Sequence, residues 1–425
     1  MNSQVIQAKT NDLVRIGVVA NVFEWYEFCV YAYLASIIGQ VFFSAENNVL
    51  AVIYAFFAFS LSYLARPLGS LFFGYMGDRR GRGISLRVSI TLMAIPTVFI
   101  GFLPTYQTIG VFAPILLMLC RFVQGFAAGG ELPGSACYLY EAAQRKHRTL
   151  LCASVATSSL FGLLLGSGAA TLLFLFFDKQ VILDWAWRLP FLLGLPLTIV
   201  ILFIRRSIVE SFSQTESFQS GSKNQPILKE ILKEKLALYQ AFILVAFLEV
   251  CIYLLFVWMP SYLEHFLHLP TRMVYISNVS ALFILATSLL FFAYLARFVS
   301  HKMIMFVSVL CMSLASYPLF MALQNNPTIL NVFAIQILFA VLLSGLNGVI
   351  METLGNLFTS KIRCTGMSLS FTCGAAFFGG SAPALCSYLI YKTGNPMIPA
   401  FYIILFGLLA LSVIVTLKKP EISLP

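Results

Sequence analysis

Acidic side chains lie inside a segment of the chain that is otherwise apolar and aromatic. Glu24 and Glu27 belong to the run Asn-Val-Phe-Glu-Trp-Tyr-Glu-Phe at residues 21–28. An acid within a membrane helix costs roughly 2.5–3.5 kcal/mol, so it calls for a functional reason. The two carboxylates are three residues apart and share one helix face. Desolvation can hold such a group protonated, and a nearby arginine can hold it ionised. We predict that Glu24 and Glu27 carry protons; a buried polar network that only orders the helices is the alternative.

An arginine lies inside a later apolar run. Arg121 is about ten residues from one end of its segment, near mid-membrane at 1.5 Å per residue. Because an unpaired guanidinium there is very costly, Arg121 is expected to face Glu24 or Glu27, a substrate anion, or both. Arginine binds carboxylates through paired hydrogen bonds, which favours a mono- or dicarboxylate or a zwitterion as substrate. The candidate substrate-binding residues are Arg121, Arg66, Trp25, Tyr31 and Gln124, with a purely structural charge as the alternative for Arg66.

The Arg121 segment also carries small residues and a third acid. Gly125 and Gly129 are four apart, which indicates a stripe for close contact with another helix. Glu131 follows, and proton coupling and structural hydrogen bonding are equally open for it. The next segment indicates tight packing through its glycines Gly162, Gly166 and Gly168. In the later part of the chain, Glu249 is the clear intramembrane acid.

The composition predicts the elements that position these residues. The chain has 425 residues, of which 60% are hydrophobic and 10% charged, whereas a soluble domain carries roughly 25% charged residues. A run of about 20 apolar residues spans a bilayer, and we find about twelve such runs. They lie near residues 16–41, 50–75, 86–104, 111–140, 150–177, 188–204, 236–263, 273–296, 303–322, 328–352, 364–391 and 396–417.

The net charge of +10 is explained by the placement of the cations. Most lysines and arginines cluster before residue 16 and at 79–87, 145–148, 205–235, 297–302, 361–363 and 418–419. These positions alternate along the predicted helices, so the positive-inside rule places both termini in the cytoplasm. The charge therefore requires no nucleic-acid partner. The first run is too long and too rich in ionisable residues for a cleaved signal peptide, and we expect a multi-pass protein of a bacterial inner membrane.

A charged turn separates the second and third runs. Residues 74–82 follow the pattern Gly-x-x-x-Asp-Arg-x-Gly-Arg. Glycines let helix ends approach closely, while the Asp and Arg side chains can pair with neighbouring helix ends in one conformation and release them in another. We predict a gate, in which Glu141 pairs with the arginines of the turn; an ordinary positively charged loop is the alternative. The candidate gating residues are Gly74, Asp78, Arg79, Arg82, Glu141 and Arg363.

These motifs resemble those of a known family. The charged turn is similar to the signature loop of the major facilitator superfamily. Further motifs resemble the metabolite:proton symporter family within it, which includes α-ketoglutarate, citrate and proline-betaine permeases. They lie at residues 21–28, 66–69, 121–131, 187–191, 363–366 and 379–383. Glu27 stands where the family pattern has Asp. The resemblance implies an all-α polytopic membrane protein with twelve transmembrane helices in two pseudo-symmetric six-helix bundles.

A polar stretch divides the chain into two parts. We predict an N-terminal bundle at residues 1–204, a cytoplasmic linker with an amphipathic helix at 205–235, and a C-terminal bundle at 236–425. The nine cysteines lie in or at the edge of apolar runs without a CxxC pair. We interpret them as packing residues rather than disulfides or metal ligands, and we expect no metal and no cofactor.

Together these features predict a proton-coupled transporter that imports a small organic solute, a carboxylate or a zwitterion, by alternating access. Its expected partners are the solute, protons and the lipid bilayer, and it is expected to act as a monomer. The alternatives are a proton-coupled efflux antiporter and a transporter-like receptor that moves no solute. An enzyme is not expected, because the sequence shows no nucleophile–base pair, metal cluster or phosphate-binding loop.

Overall fold

The computed structural model of the chain describes residues 21–80, 82–130, 136–137, 139–141, 143–196, 199 and 233–417. Within these ranges, the side chains of residues 74, 77–80, 82–83, 85–87, 90, 130 and 145 lie outside the description. Glu131, most of the predicted linker and both termini are therefore outside the described residues. Four of the six candidate gating residues are affected: the surroundings of Gly74 and the side chains of Asp78, Arg79 and Arg82 are also outside the description.

The described part of the chain is mainly helical, without strands. Its main helices are α1 (residues 21–33 and Ala35–Phe42), α2 (Asn48–Arg80), α3 (Arg82–Phe102), α4 (Phe112–Ala127), α5 (Arg148–Phe176), α6 (Leu189–Leu192, with 194–196), α7 (Lys235–Ile252, continued by Tyr253–Val257 and Met259–His265), α8 (Thr271–Leu295), α9 (His301–Asn325), α10 (Ile329–Leu357), α11 (Arg363–Gly374, continued by Ala375–Gly379 and Ala382–Thr393) and α12 (Ile398–Thr416). Among the described residues, 8 helices can cross a membrane by length and composition, and Thr91–Phe102 and Phe112–Ala127 are shorter apolar helices.

The predicted order of membrane segments is confirmed, but the boundary at the charged turn differs. Helix α2 continues to Arg80 and α3 begins at Arg82, so the polar residues of the turn belong to helix ends. Pro67 lies inside α2. Asp and Arg residues are compatible with helix, and charged ends at a membrane surface can be solvated. The apolar run therefore ends before the helix does.

Helix packing brings the two parts of the chain together along two seams. We call α1–α6 the first half and α7–α12 the second half. Within the halves, α2 packs on α4, α7 on α11 and α12, and α8 on α10. Between them, α5 packs on α8 and α10, and α2 packs on α11. Residues of α1, α2, α4, α5 and α7 that point away from lipid therefore meet at the centre.

Glycines allow the closest of these contacts. A Cβ at Gly125 would lie 1.7 Å from the Ser62 carbonyl oxygen, and one at Gly129 would lie 2.3 Å from that of Arg66. The predicted stripe on α4 is therefore confirmed, with α2 as its partner. In α5, a Cβ at Gly162 would lie 2.4 Å from the Cβ of Trp25. Gly168 has nothing within 4 Å, so the prediction of tight packing is wrong at that position.

Two helices of the second half contain π-helical turns where they face each other. These turns are Tyr253–Val257 in α7 and Ala375–Gly379 in α11. A Cβ at Gly379 would lie 2.6 Å from the Cβ of Glu249 and 3.1 Å from the ring of Tyr253. π-Helical turns inside α-helices are frequent at functional sites. Here they bring α11 against the face of α7 that carries an acid and a tyrosine.

Candidate functional site

Arg121 is the centre of the polar contacts in the first half. Its side chain is fully buried in α4. Nη1 donates to Gln124 Oε1 at 2.8 Å, and Nη2 donates to Ser62 Oγ at 2.9 Å. The guanidinium carbon lies 4.3 Å from the ring centroid of Tyr31 and 4.7 Å from that of Phe28. Neutral oxygens and aromatic rings thus surround the cation, an arrangement in which an incoming carboxylate can replace one of the neutral acceptors.

A chain of hydrogen bonds connects Arg121 with Glu27. Gln124, held by Arg121, donates through Nε2 to Thr97 Oγ1 at 2.7 Å. Thr97 Oγ1 in turn lies 3.4 Å from Glu27 Oε2 and 3.1 Å from the Met93 carbonyl oxygen. A hydroxyl has a single proton, so Thr97 donates to one of these two acceptors at a time. The position of that proton can therefore respond to whether Glu27 carries a proton of its own.

Sequence reasoning missed Thr97. A threonine that bonds the carbonyl four residues earlier is ordinary inside a helix, so nothing in the sequence marks it. Thr97 comes within hydrogen-bonding distance of Gln124 and Glu27 only because α1, α3 and α4 pack together. Glu27 itself is 3% exposed, and Glu24 is partly buried one turn before it in α1.

Arg66 lies in a cage of aromatic rings from α1 and α2. Its guanidinium carbon is 4.0 Å from the ring centroid of Tyr63, 4.2 Å from that of Phe28 and 5.4 Å from that of Trp25. Among the described residues, Arg66 Nε has no hydrogen-bond partner. Cation–π contacts stabilise the charge when it is removed from water. The candidates Arg66 and Trp25 are thus in contact, and Arg121 shares Phe28 with them.

The two halves meet next to this cage. The hydroxyls of Tyr63 and Tyr253 are hydrogen-bonded, and Ser60 Oγ donates to the Gly380 carbonyl oxygen at 2.9 Å. A cavity of about 30 Å³ lies between the halves, with Trp25 and Glu249 among its lining residues. The centre of the protein is therefore nearly filled in this structure.

Contacts between the halves also close the end near the charged turn. Arg363 Nη1 pairs with Glu141 Oε1 at 3.2 Å, and Arg363 Nε donates to the Gly355 carbonyl oxygen at 2.8 Å. Tyr140 donates to Asn356 Oδ1 at 2.6 Å. These contacts join residues 139–141, which follow α4 in the chain, to the facing ends of α10 and α11. Two candidate gating residues, Glu141 and Arg363, are thus brought together, whereas the expected pairing of Glu141 with the turn involves side chains outside the description.

A disulfide joins Cys137 and Cys364 at the same end, with their Cα atoms 5.4 Å apart. The prediction that the cysteines form no disulfides is wrong for this pair, because residues distant in sequence come together only when the halves pack. Ligand atoms of Cys137, Cys364 and Glu141 lie within 4.8 Å of one another. Since the two sulfurs are bonded to each other, they are not free to act as thiolate ligands.

The opposite end of the molecule is closed as well. Tyr275 in α8 donates to the Tyr33 carbonyl oxygen at 2.6 Å, and Asn278 Nδ2 donates to Ser167 Oγ at 3.0 Å. Arg272 Nε donates to the Phe174 carbonyl oxygen at 2.9 Å. Because contacts between the halves exist at both ends and at the centre, the structure represents a closed form.

A larger groove lies away from the charged residues. It has a volume of about 1000 Å³ and is lined by apolar side chains such as Leu164, Leu172, Phe283 and Phe333. Such a lining offers few hydrogen-bonding groups to a charged solute. We therefore place the candidate site at Arg121, Glu27 and Arg66 rather than in this groove.

The chain belongs to the Major Facilitator Superfamily, whose family model matches residues 25–356. The resemblance stated from the sequence motifs is confirmed, as is the prediction of a transporter rather than an enzyme. The protein is a multi-pass inner-membrane transporter of this superfamily.

Two of its relatives are named for what they carry. The proline/betaine transporter of Escherichia coli (strain K12) is 33% identical over 429 residues, which cover 97% of this chain and 84% of that protein. The putative proline/betaine transporter of Staphylococcus aureus (strain MSSA476) is 33% identical over 418 residues, which cover 97% of this chain and 89% of the relative.

Solved structures support the same fold. The partially occluded, inward-open xylose transporter XylE from E. coli superposes with a TM-score of 0.76 at 14% identity, covering 97% of this chain and 99% of that chain. A D-xylose–proton symporter superposes with a TM-score of 0.73 at 15% identity, covering 94% and 97% of the two chains. At these identities the likeness concerns the fold alone.

Proposed function

We propose that this protein uses a proton gradient to import a small zwitterion of the proline or betaine type. The observation that carries the proposal is the hydrogen-bonded chain from Arg121 through Gln124 and Thr97 to Glu27. A fully buried guanidinium suits the carboxylate of the solute, and a buried carboxyl suits the proton. The names of the relatives agree with a zwitterion that has one carboxylate.

The chain of contacts suggests how solute and proton are coupled. A solute carboxylate at Arg121 would compete with Gln124 Oε1 for the guanidinium. Release of Gln124 would weaken its hold on Thr97, whose hydroxyl then becomes free to reorient between Met93 and Glu27. Binding of the anion thereby changes the environment of the proton site, and protonation of Glu27 changes that of the arginine. Such reciprocity is what linkage between two ligands requires.

Transport then requires the two closed ends to open in turn. The Glu141–Arg363 and Tyr140–Asn356 contacts would separate to open one end, and the Tyr275–Tyr33 contact would separate to open the other. We place the end of Glu141 and Arg363, together with both termini, in the cytoplasm. In this proposal, bundles of residues 1–204 and 236–425, joined by the 205–235 linker, rock within the lipid bilayer as a monomer. Glu24 and Glu131 keep their proposed part in proton coupling, and Trp25 and Tyr31 keep theirs in binding the solute.

Purified protein in liposomes tests this function. Internal pH is recorded while proline, glycine betaine, citrate, α-ketoglutarate or xylose is added outside. We expect acidification with a zwitterion and none with xylose. Arg121→Ala should abolish the signal, whereas Lys392→Ala, which removes an exposed cation in the last turn of α11, should retain it. Because both variants lose one positive charge, the comparison isolates the buried arginine.

Other outcomes would contradict the proposal in distinct ways. Uptake of a zwitterion that is unchanged in correctly inserted Arg121→Ala would remove the arginine from the site. Proton movement opposite to that of an apolar compound would indicate an efflux antiporter. Silence across the whole panel would indicate a protein that moves none of these solutes.

A further inference from the structure

Two residues that carry buried polar atoms without partners line the same small cavity between the halves. Trp25 Nε1, on α1, and Glu249 Oε2, on α7, have no hydrogen-bond partner within the described part of the chain. Both residues line the cavity of about 30 Å³, and they are 6% and 3% exposed. A buried polar group without a partner is costly, so native proteins rarely leave one unexplained. Here a donor and an acceptor, one from each half, share one space.

Because Glu249 is an acid, its need for a partner is greater than that of a neutral buried group. The ion pairs between described residues do not include Glu249. A buried carboxylate needs a cation, a proton or several hydrogen bonds. The other polar side chains at the cavity are Ser159 and Asn347, and they are neutral. When Glu249 is ionised, the cavity presents a negative charge beside an aromatic ring, which is the environment that suits an organic cation.

We propose that Trp25 and Glu249 form the subsite for the positively charged nitrogen of the transported solute. This inference rests on the proposed function and assigns the second end of the zwitterion. Trp25 is close to a cation and shares a cavity with an acid: the guanidinium carbon of Arg66 is 5.4 Å from its ring centroid, and Glu249 lines the same cavity. The solute carboxylate faces the arginines, and its nitrogen faces the ring of Trp25 and the carboxylate of Glu249.

Trp25 and Glu249 lie on different halves, so the subsite can contribute to closure of the halves around the solute. A cavity of about 30 Å³ has room for one or two waters and not for a solute. The nitrogen can enter when the halves separate, and it then contacts a residue from each of them. Because Glu249 belongs to α7 and Trp25 to α1, a bound cation favours the approach of the two halves around the solute. Selection of zwitterions and closure thus depend on the same contact.

Paired ligands test the subsite. Glycine betaine and 3,3-dimethylbutanoate have the same shape and the same carboxylate, but the second has a carbon in place of the charged nitrogen. Binding to the purified protein is measured by calorimetry at one pH without a gradient. The wild type should prefer glycine betaine by roughly 10- to 100-fold, the range expected for an interaction with a charged partner. In Glu249→Gln this preference should fall to within about threefold.

Glu264→Gln is the matched control. Glu264 also lies on α7, where it contacts His265 and Thr271, and it does not line the cavity. Its variant should therefore keep the wild-type preference. The ratio of two affinities in one preparation is insensitive to partial loss of folded protein. If Glu249→Gln keeps the full preference for glycine betaine, the inference is overturned. This holds even if the variant no longer moves protons. If the wild type binds no zwitterion, the proposed function fails, and the inference fails with it.

Discussion

The contact between α2 and α4 at Gly125 determines whether Arg121 can reach Ser62. The substitution Gly125→Ala adds one methyl group at this contact and therefore tests it. The added Cβ would lie 1.7 Å from the Ser62 carbonyl oxygen, 2.4 Å from its carbonyl carbon and 2.6 Å from its Cα. These are backbone atoms, so no side-chain rotation can relieve the overlap. The helices must move apart.

The size of the effect follows from these distances. Heavy atoms pack at about 3.5–4.0 Å, so α2 and α4 must separate by roughly 1.5 Å or more. The hydrogen bond from Arg121 Nη2 to Ser62 Oγ, now 2.9 Å, would then be too long to persist. Overpacking typically costs about 1–3 kcal/mol, and a hydrogen bond to a charged group contributes about 1.5–3 kcal/mol. We expect Gly125→Ala to lower the free energy of unfolding by about 2 kcal/mol or more.

Thermal unfolding of the purified protein in detergent measures this change, with glycine betaine binding as a second readout. Gly168→Ala is the matched control, because a Cβ there meets nothing within 4 Å. Both substitutions lie within helices, Gly125 near the end of α4 and Gly168 inside α5, and each gains at most about 1 kcal/mol of helix propensity. The difference between them therefore reports the close approach. Equal unfolding temperatures for the two variants would refute the account of the α2–α4 contact.

Three further predictions concern the other contacts. Thr97→Val should reduce gradient-driven uptake in proteoliposomes at least about tenfold, because Gln124 loses its acceptor, while Thr97→Ser retains uptake; equal rates for the two would contradict the relay. After cleavage at a protease site engineered between residues 205 and 232, the halves should stay joined through Cys137 and Cys364 on a non-reducing gel and separate with reductant, and oxidation should slow uptake; unlinked halves without reductant would contradict the pairing. Arg363→Lys cannot contact both the Gly355 carbonyl and a carboxylate with the same fork geometry, so labelling of a cysteine at the adjacent helix ends should increase; unchanged labelling would contradict a closing role for this arginine.

The sequence was sufficient for the class of protein and for the helices that carry the charges. Glu27 and Arg121 are recognisable alone, because ionisable residues are rare in apolar runs. The stripe of Gly125 and Gly129 follows from helical periodicity. The contact that links these features does not follow, because it involves Thr97, a residue that is ordinary in a membrane helix.

Contacts between the halves were not predictable for a related physical reason. Two contacts join residues from distant parts of the chain. Glu249 and Trp25 line one cavity, and Cys137 is bonded to Cys364. Periodicity describes which residues share a helix face, but it does not describe which helices face each other. Gly168 illustrates the same limit, because a glycine-rich stretch of α5 is packed at Gly162 and open six residues later.

In the proposed function, Glu27 couples protons to solute movement. We would compare exchange and accumulation of labelled glycine betaine in the same proteoliposomes for the wild type and Glu27→Gln. Exchange of internal for external solute needs no net proton movement, whereas accumulation in a pH gradient does. If Glu27 is the coupling residue, Glu27→Gln keeps exchange and loses gradient-driven accumulation. Accumulation at the wild-type level in this variant would contradict that role.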